Sequence, residues 1–394
     1  MIYPLVISPF DDSDIQTLIE TIKSRQFTMG PLVKKFETEF AEKMGSRYAV
    51  MVNSGSSANL AATFSLLYKK SNPLKKNCEV LVPAIGWSTT WAPLQQAGFR
   101  IKIVDVNPET LNVDVESYRE AISENTKMIV TVSILGNPLD FENLKKLCQE
   151  KNILLFEDNC ESIGATVNGK SCGTFGDVGT FSFFYSHHIS TIEGGMIVTD
   201  DEELYHLCLS LRAHGWARDI PNENYFEKIK SNELRENYNF VVPGFNLRPL
   251  EMSGALGLTQ LQKLDALVAK RRENALLFAK TMQKHDGYFI QLEKFGKSSW
   301  YSFPIILKKG TEEKRNRLFE HLKKNGIESR MVTGGCLTLH PMKEYFDIVE
   351  HKRPINAERI HSLGLFVANH SVDMSGMFEA LDNALTSFET LNET

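Results

Sequence analysis

Between residues 47 and 199 the chain alternates short, nearly uninterrupted apolar runs with stretches of helical periodicity. That alternation constrains the fold more than any other feature of the sequence. Residues 47–52 (RYAVMV) precede a helical pattern at 58–69, and 79–83 (EVLVP) precede another at 87–97. Residues 101–106 (IKIVDV) are followed by a helix at 115–123, and 128–133 (MIVTVS) by one at 139–151. Residues 153–157 (ILLFE) run into a loop around Asn159. A strand that is apolar on both faces must be covered on both, and strands joined through helices run parallel. The pattern therefore predicts an α/β fold, a mainly parallel sheet with helices on both faces. Residues 179–184 and 195–199 read as two strands with only a short loop between them, which predicts one antiparallel member.

Residues 251–282 form a long helical region whose only glycines, Gly254 and Gly257, lie near its start. It reads as a connector to a second unit. Beyond it, 288–292, 302–307 and 329–332 read as strands and 311–325 and 376–390 as helices. The expected organisation is a large domain over 1–255 and a smaller α+β domain over 256–394. The charged stretch 218–236 reads either as a solvated surface excursion or as a lid or intersubunit loop near a substrate.

Composition narrows the function. The 394 residues carry a formal net charge of -5 with no basic run or aromatic-basic stripe, so nucleic-acid binding is not indicated. No apolar stretch approaches the ~20 residues needed to span a bilayer. Nor does the N-terminus pair a charged head with an apolar run, so no secretory signal is visible. Six cysteines, at 78, 148, 160, 172, 208 and 336, are scattered without C-x-x-C or C-x-C pairs. They read as reduced thiols of a cytoplasmic protein.

Several short motifs carry chemistry. Asn53-Ser54-Gly55-Ser56-Ser57-Ala58-Asn59 follows a strand and opens a helix. Glycine permits close approach, hydroxyls add donors and a helix N-terminus favours an anion, so the turn is a candidate phosphate cradle. The same residues also serve as a plain helix cap. Asp158 sits just past a buried strand, in the crevice where open parallel sheets bind ligands. It is placed to pair with a protonated pyridine nitrogen, or to act as a helix cap or salt-bridge partner. Glu161, three residues on, can reach a ring hydroxyl or simply favour the first turn of a helix. Ser182 alternates with Phe181 and Phe183 along a strand and points to the other face. It is a second phosphate donor or an ordinary strand serine. Trp87 follows another strand and is either a stacking platform for a flat cofactor or a core residue.

These motifs occur in a fixed order. After them come Ser186-His187-His188, then Glu193-Gly194-Gly195, then Pro243-Gly244-Phe245-Asn246-Leu247-Arg248-Pro249-Leu250-Glu251. The set resembles the DegT/DnrJ/StrS family of pyridoxal-phosphate enzymes acting on nucleotide-linked sugars. The likeness runs from Phe27-Thr28-Met29-Gly30-Pro31 at least to Arg330, and implies an aspartate aminotransferase-like (type I) fold. By that resemblance Asp158 pairs with the pyridine nitrogen and Trp87 stacks on the ring. Gly55, Ser56, Ser57 and Ser182 bind the phosphate. Asn246 reaches the phosphate from the other subunit, which implies a homodimer with shared active sites.

The chain departs from the family pattern at two positions. His187 stands where the aminotransferases have the lysine that binds the cofactor aldehyde, and Glu161 stands where many have Gln or His. An imidazole cannot make that covalent link but moves protons near neutral pH. Both departures resemble the dehydratase branch of the family, in which the cofactor works as pyridoxamine phosphate (PMP). The implied activity is removal of the C3 hydroxyl from a nucleotide-linked 4-keto-6-deoxyhexose, with GDP-4-keto-6-deoxy-D-mannose as the implied substrate. L-glutamate is the implied donor that restores PMP from pyridoxal phosphate (PLP). His187 is the candidate catalytic residue, and no metal site is expected. Met29, His188, Arg218, Arg248 and Arg330 are candidate substrate contacts, with surface or salt-bridge roles open for each arginine. Three alternatives remain: an iron-sulfur CDP-hexose dehydrase, for which grouped cysteines are lacking, a nucleotide-sugar aminotransferase, and a non-catalytic cofactor- or sugar-binding protein.

Overall fold

The computed structural model describes residues 2–221, 225–226 and 238–393. The strands, in chain order, are β1 (Tyr48–Val52), β2 (Glu79–Pro83), β3 (Arg100–Val104), β4 (Thr126–Val132) and β5 (Leu154–Asp158). A small hairpin, β6 (Thr166–Val167) and β7 (Lys170–Ser171), precedes β8 (Val178–Ser182) and β9 (Gly195–Thr199). The last four are β10 (Tyr288–Phe289), β11 (Ser302–Leu307), β12 (Ile348–Val349) and β13 (Gly364–Ala368). The helices are α1 (Asp12–Ser24), α2 (Pro31–Met44), α3 (Gly55–Tyr68), α4 (Ser88–Gln96), α5 (Val115–Ala121), α6 (Phe141–Lys151) and α7 (Glu202–Arg212). They continue with α8 (Glu251–Met282), α9 (Glu312–Lys324), α10 (Ile355–Leu363) and α11 (Ser375–Glu393).

Eight strands form one sheet in the order β1-β9-β8-β5-β4-β2-β3-β12. Only β9 runs against the rest, pairing antiparallel with both β1 and β8. This matches the parallel sheet with one reversed member that the alternating apolar runs predict. The reversal has the expected cause, because the connection from β8 to β9 carries no helix to cross over. Strands β2, β8 and β9 are buried along their whole length, as the near-continuous apolar runs require.

Helices cover both faces. On one, Phe181 and Phe183 of the β8 region pack against Phe36 and Phe40 of α2, at 5.2–5.4 Å between ring centroids. Leu261 and Leu264 of α8 complete that cluster. The α2–α8 contact is close because Gly254 and Gly257 lie in it. A Cβ on either would come within 2.6 Å of Val33 or Phe36. Helix α2 opens at Pro31 without a side-chain cap of its own. The Glu251 carboxylate supplies one across the interface, taking the Leu32 N–H at 2.7 Å. It satisfies an otherwise orphaned donor at the positive helix end.

Helix α8 runs unbroken through residue 255, the expected domain border, and at 1.5 Å per residue is about 48 Å long. Beyond it, β10, β11 and β13 form a separate antiparallel sheet, while β12 returns to the edge of the large one. Two expectations need correction here. Residues 329–332 are not a strand, since only Arg330 pairs, in a single bridge to Phe366. The strand expected at 288–292 stops at Phe289, where pairing with β11 ends. Most of the charged stretch 218–236 lies outside the described residues. Among those described, no helix is long and apolar enough to cross a membrane.

Candidate active site

The parallel strands deliver their C-terminal ends to one edge of the sheet, where ligands bind in folds of this kind. The Gly55 turn follows β1, Trp87 follows β2, Leu135 follows β4, Asp158 ends β5 and Ser182 ends β8. Five segments distant in sequence thus converge. A concavity of about 840 Å³ opens at the opposite edge around Lys75, Lys127, Lys145 and Asp177 and contains none of these residues.

Gly55 is the first residue of α3, and its place there is sterically enforced. A Cβ would sit 2.5 Å from Ser182 Cβ and 2.9 Å from Cys160 Sγ. Only glycine lets the helix start lie directly over the ends of β5 and β8. Ser54 caps the helix by accepting the Ser57 N–H at 3.0 Å. Ser57 donates its hydroxyl to Asn53 at 2.6 Å. Among the described residues the Gly55 and Ser56 amides at the helix start have no protein acceptor. Exposed Ser56 pairs only with the Thr89 hydroxyl, at 2.8 Å. Ser182, 8% exposed, turns toward this spot while Phe181 and Phe183 point to the α2 face. Free amides at a helix N-terminus beside two hydroxyls form a phosphate site. The turn is a helix cap, and its free amides and hydroxyls leave it suited to an anion.

Asp158 is 3% exposed. Its Oδ2 accepts from Asn59 Nδ2 at 2.9 Å and Thr90 Oγ1 at 2.7 Å, and its Oδ1 accepts from the Cys160 N–H at 3.1 Å. Asn59 is itself oriented by the Thr180 hydroxyl at 2.6 Å. Three donors converging on one buried carboxyl fix its plane. Glu161 is half-buried and accepts the Leu135 N–H at 2.9 Å. Burial pushes its carboxyl up to about 7; the Leu135 N–H opposes the rise and the charge of Asp158 adds to it. Near neutral pH it is part protonated and can donate a hydrogen bond.

The two histidines separate clearly. His187 is half-buried, with its ring 5.1 Å from the Tyr301 ring and its Nδ1 without a partner. Burial, opposed by a hydrogen bond to the Cys160 backbone and reinforced by the Arg271 charge, pushes its pKa down to about 4. It is a neutral base at neutral pH. His188 is 2% exposed and its Nε2 donates to the Ser299 carbonyl at 3.0 Å, an anchor in the core.

Trp87, 56% exposed, presents its face at the start of α4, one turn before Thr90. Arg330 lines a small cleft with Ser186 and Tyr301. Asn246 is exposed and accepts from Arg248 Nε at 3.1 Å. The next carbonyl, of Leu247, takes the Asn53 N–H at 2.9 Å, which brings this segment beside the phosphate turn. Met29 packs on the Phe36–Phe183 cluster. Arg218 lies over the Trp216 ring at 4.3 Å and pairs with Asp219, and no described contact joins it to Asp158 or His187. No group of three or more His, Cys, Asp or Glu among the described residues is spaced to hold a metal ion.

Sequence reasoning missed Asn59, Thr90 and Tyr301. Asn59 had a signal, a lone amide one turn into the apolar helix ANLAATF. Tyr301 had none.

A sheet of this topology, with a glycine-serine helix start, a buried aspartate and an exposed tryptophan at its C-terminal edge, is that of the PLP aminotransferase fold. The chain belongs to the DegT/DnrJ/EryC1/StrS aminotransferase family, which it matches over residues 9–374. It is 48% identical over 382 residues to the GDP-4-keto-6-deoxy-D-mannose 3-dehydratase of Escherichia coli O55:H7, covering 96% of this chain and 97% of that one. Two solved structures are similar throughout. GDP-4-keto-6-deoxymannose-3-dehydratase with a trapped PLP-glutamate geminal diamine superposes with a TM-score of 0.93, at 47% identity over 97% of this chain and all of that one. A ColD variant in which an adjacent serine and histidine are replaced by asparagine and lysine gives 0.92, at 46% identity over 96% of this chain and all of that one.

Proposed function

We propose that the chain is a PMP-dependent 3-dehydratase acting on a GDP-linked 4-keto-6-deoxyhexose, GDP-4-keto-6-deoxy-D-mannose, with L-glutamate regenerating PMP. The observation that carries the reading is His187, a neutral, partly accessible imidazole in place of a lysine. Ser186-His187 is the only Ser-His pair in the sequence, and an adjacent serine and histidine are the residues altered in the ColD variant.

The residues fit the cofactor: the Gly55 cradle with its free amides suits the phosphate, Asp158 the ring nitrogen, Trp87 the ring face and Glu161 the ring hydroxyl. When bound, the cofactor supplies an electron sink that acidifies an adjacent carbon and allows a neighbouring hydroxyl to leave. Gly55, Ser56, Ser57 and Ser182 anchor the phosphate, so the ring lies in one place. Asp158 holds negative charge at the pyridine nitrogen, and Asn59 and Thr90 keep that carboxylate in plane. His187 takes one proton at its imidazole nitrogen and returns it to the departing hydroxyl, the same group acting first as base and then as acid. Arg218, Arg248 and Arg330 are proposed contacts for diphosphate or carboxylate groups and Met29 is proposed to border the substrate, whereas His188, anchored on Ser299 in the core, is not. A two-domain division at 255/256 is part of the same reading.

The test is mass spectrometry after incubation with PLP, L-glutamate and a panel of 4-keto-6-deoxy sugar nucleotides. The expected product is lighter by one oxygen atom. Each turnover converts one glutamate to 2-oxoglutarate and releases ammonia. An aminated sugar would mean an aminotransferase, and no consumption of glutamate or sugar would mean a binding protein.

The site is proposed to be shared between two subunits. Exposed Asn246 lies on a segment that also exposes Phe240 and Leu250, and Phe184, Ile192 and Trp87 are exposed as well. Such apolar surface is suited to a C2 interface. Asp158→Ala and Asn246→Ala, each inactive, are expected to complement when mixed and allowed to exchange subunits. One site of the heterodimer then carries both defects and the other neither. A fully active monomer would rule the shared site out.

A further inference from the structure

Tyr301 immediately precedes β11, more than a hundred residues from His187, and lies against it. Its phenol oxygen is 3.2 Å from Ser186 Oγ. Its ring centroid is 5.1 Å from that of His187, inclined by 35°. The backbone of Tyr301 is gripped from both sides. Its N–H donates to the Leu135 carbonyl at 2.9 Å. Its carbonyl accepts from Arg271 Nη1 at 3.1 Å.

Both grips are unusual. Leu135 and Trp300, the residue before Tyr301, hold left-handed backbone at φ 53° and 49°. Non-glycine residues adopt that region only where surrounding contacts over-determine it. Arg271, on α8, is 5% exposed, and no carboxylate acts on it among the described residues. Its donors go instead to the carbonyls of Tyr301 and Asn369 and the Ser371 hydroxyl. Asn369 returns hydrogen bonds to the carbonyls of Trp300, at 2.7 Å, and Arg271, at 3.0 Å. A buried cation is thus committed to ordering one turn, at the desolvation cost of an uncompensated charge.

The need for such a clamp is visible behind His187. The imidazole borders a cleft of about 210 Å³ lined also by Val6, Pro9, Phe10, His188 and Arg271. His187 Nδ1 has no hydrogen-bond partner to fix the ring. Apart from the hydrogen bond to the Cys160 backbone, the ring has no polar contact among the described residues that fixes its orientation.

We propose that Tyr301 is a positioning residue for His187, its ring retaining the imidazole at the reacting centre, and that Arg271 holds Tyr301 in register. The inference rests on the dehydratase reading. The test compares Tyr301→Leu, which removes the ring, with Tyr301→Phe, which removes only the hydroxyl. Each is followed by steady-state kinetics and by imidazole ¹H–¹⁵N NMR of the cofactor-free protein. The His187 signal is assigned by its loss in His187→Asn.

For Tyr301→Leu, kcat is expected to fall about 100-fold with KM for the sugar nucleotide nearly unchanged, as for a displaced catalytic group. Its His187 signal is expected to broaden or shift. Tyr301→Phe is expected to keep most of kcat and a parent-like signal. An unchanged signal or unchanged kcat in Tyr301→Leu overturns the proposal, as does an equal loss in Tyr301→Phe, which would make the hydroxyl the working group. Should Tyr301→Leu fail to fold, Arg271→Lys carries the test. It is expected to perturb the His187 signal and lower kcat, and no change in either would overturn the proposal. If the parent dehydrates no sugar, the function fails separately, while the NMR comparison still reports on positioning.

Discussion

Replacing His187 with lysine is expected to abolish dehydration and at the same time give the protein a yellow cofactor adduct that borohydride makes permanent. The parent chain should show no adduct under the same treatment, because an imidazole cannot form the link. General base catalysis contributes about 10²–10⁴-fold, and a lysine ammonium at an ordinary pKa is a poor substitute. A fall in kcat of about 10³-fold is therefore expected. The parent's pH profile gives a second check. His187 is active when neutral, and its pKa is held down to about 4. Its base form thus persists well below the usual histidine range, and kcat/KM should show no acid limb from His187 until the pH approaches that value. A His187→Lys variant that dehydrates at the parent rate would remove His187 as the base and turn attention to His188.

Asp158→Asn is expected to be nearly as damaging, first through binding. The carboxylate charge that would face the ring nitrogen disappears. The new amide also presents a donor where Asn59 and Thr90 already donate. Hydrogen bonds to charged groups contribute about 1.5–3 kcal/mol. Cofactor affinity should therefore weaken by about 10–100-fold, with a further loss in rate as the electron sink weakens. Equilibrium dialysis against PLP and PMP measures the first, and single-turnover kinetics at saturating cofactor the second. Parent-like affinity would show that Asp158 serves only as a partner for Asn59, Thr90 and Cys160.

Much of this architecture was legible because it is local. Apolar β-branched runs read as β1, β2, β4 and β5 within two residues of their ends, since both faces of those strands are buried at nearly every position. Gly55, Asp158 and Ser182 were legible because each follows or ends such a strand. The strand read at 329–332 failed for the converse reason. Its residues suit a strand, but only Arg330 finds a partner, and β-pairing is decided by what lies alongside.

Chain order and residue type, through resemblance to a known family, grouped the Gly55 turn, Trp87, Asp158 and His187 as one candidate site. Tertiary structure alone decided which of two adjacent histidines is available. His188 meets the Ser299 carbonyl 111 residues away and is 2% exposed, while His187, on the same cleft, is only half-buried. It also brought in Asn59, Thr90, Tyr301 and Arg271. Their chemistry is ordinary in isolation and acquires a role only when distant segments meet, because burial, hydrogen-bond partners and pKa are properties of the packed neighbourhood and not of the residue.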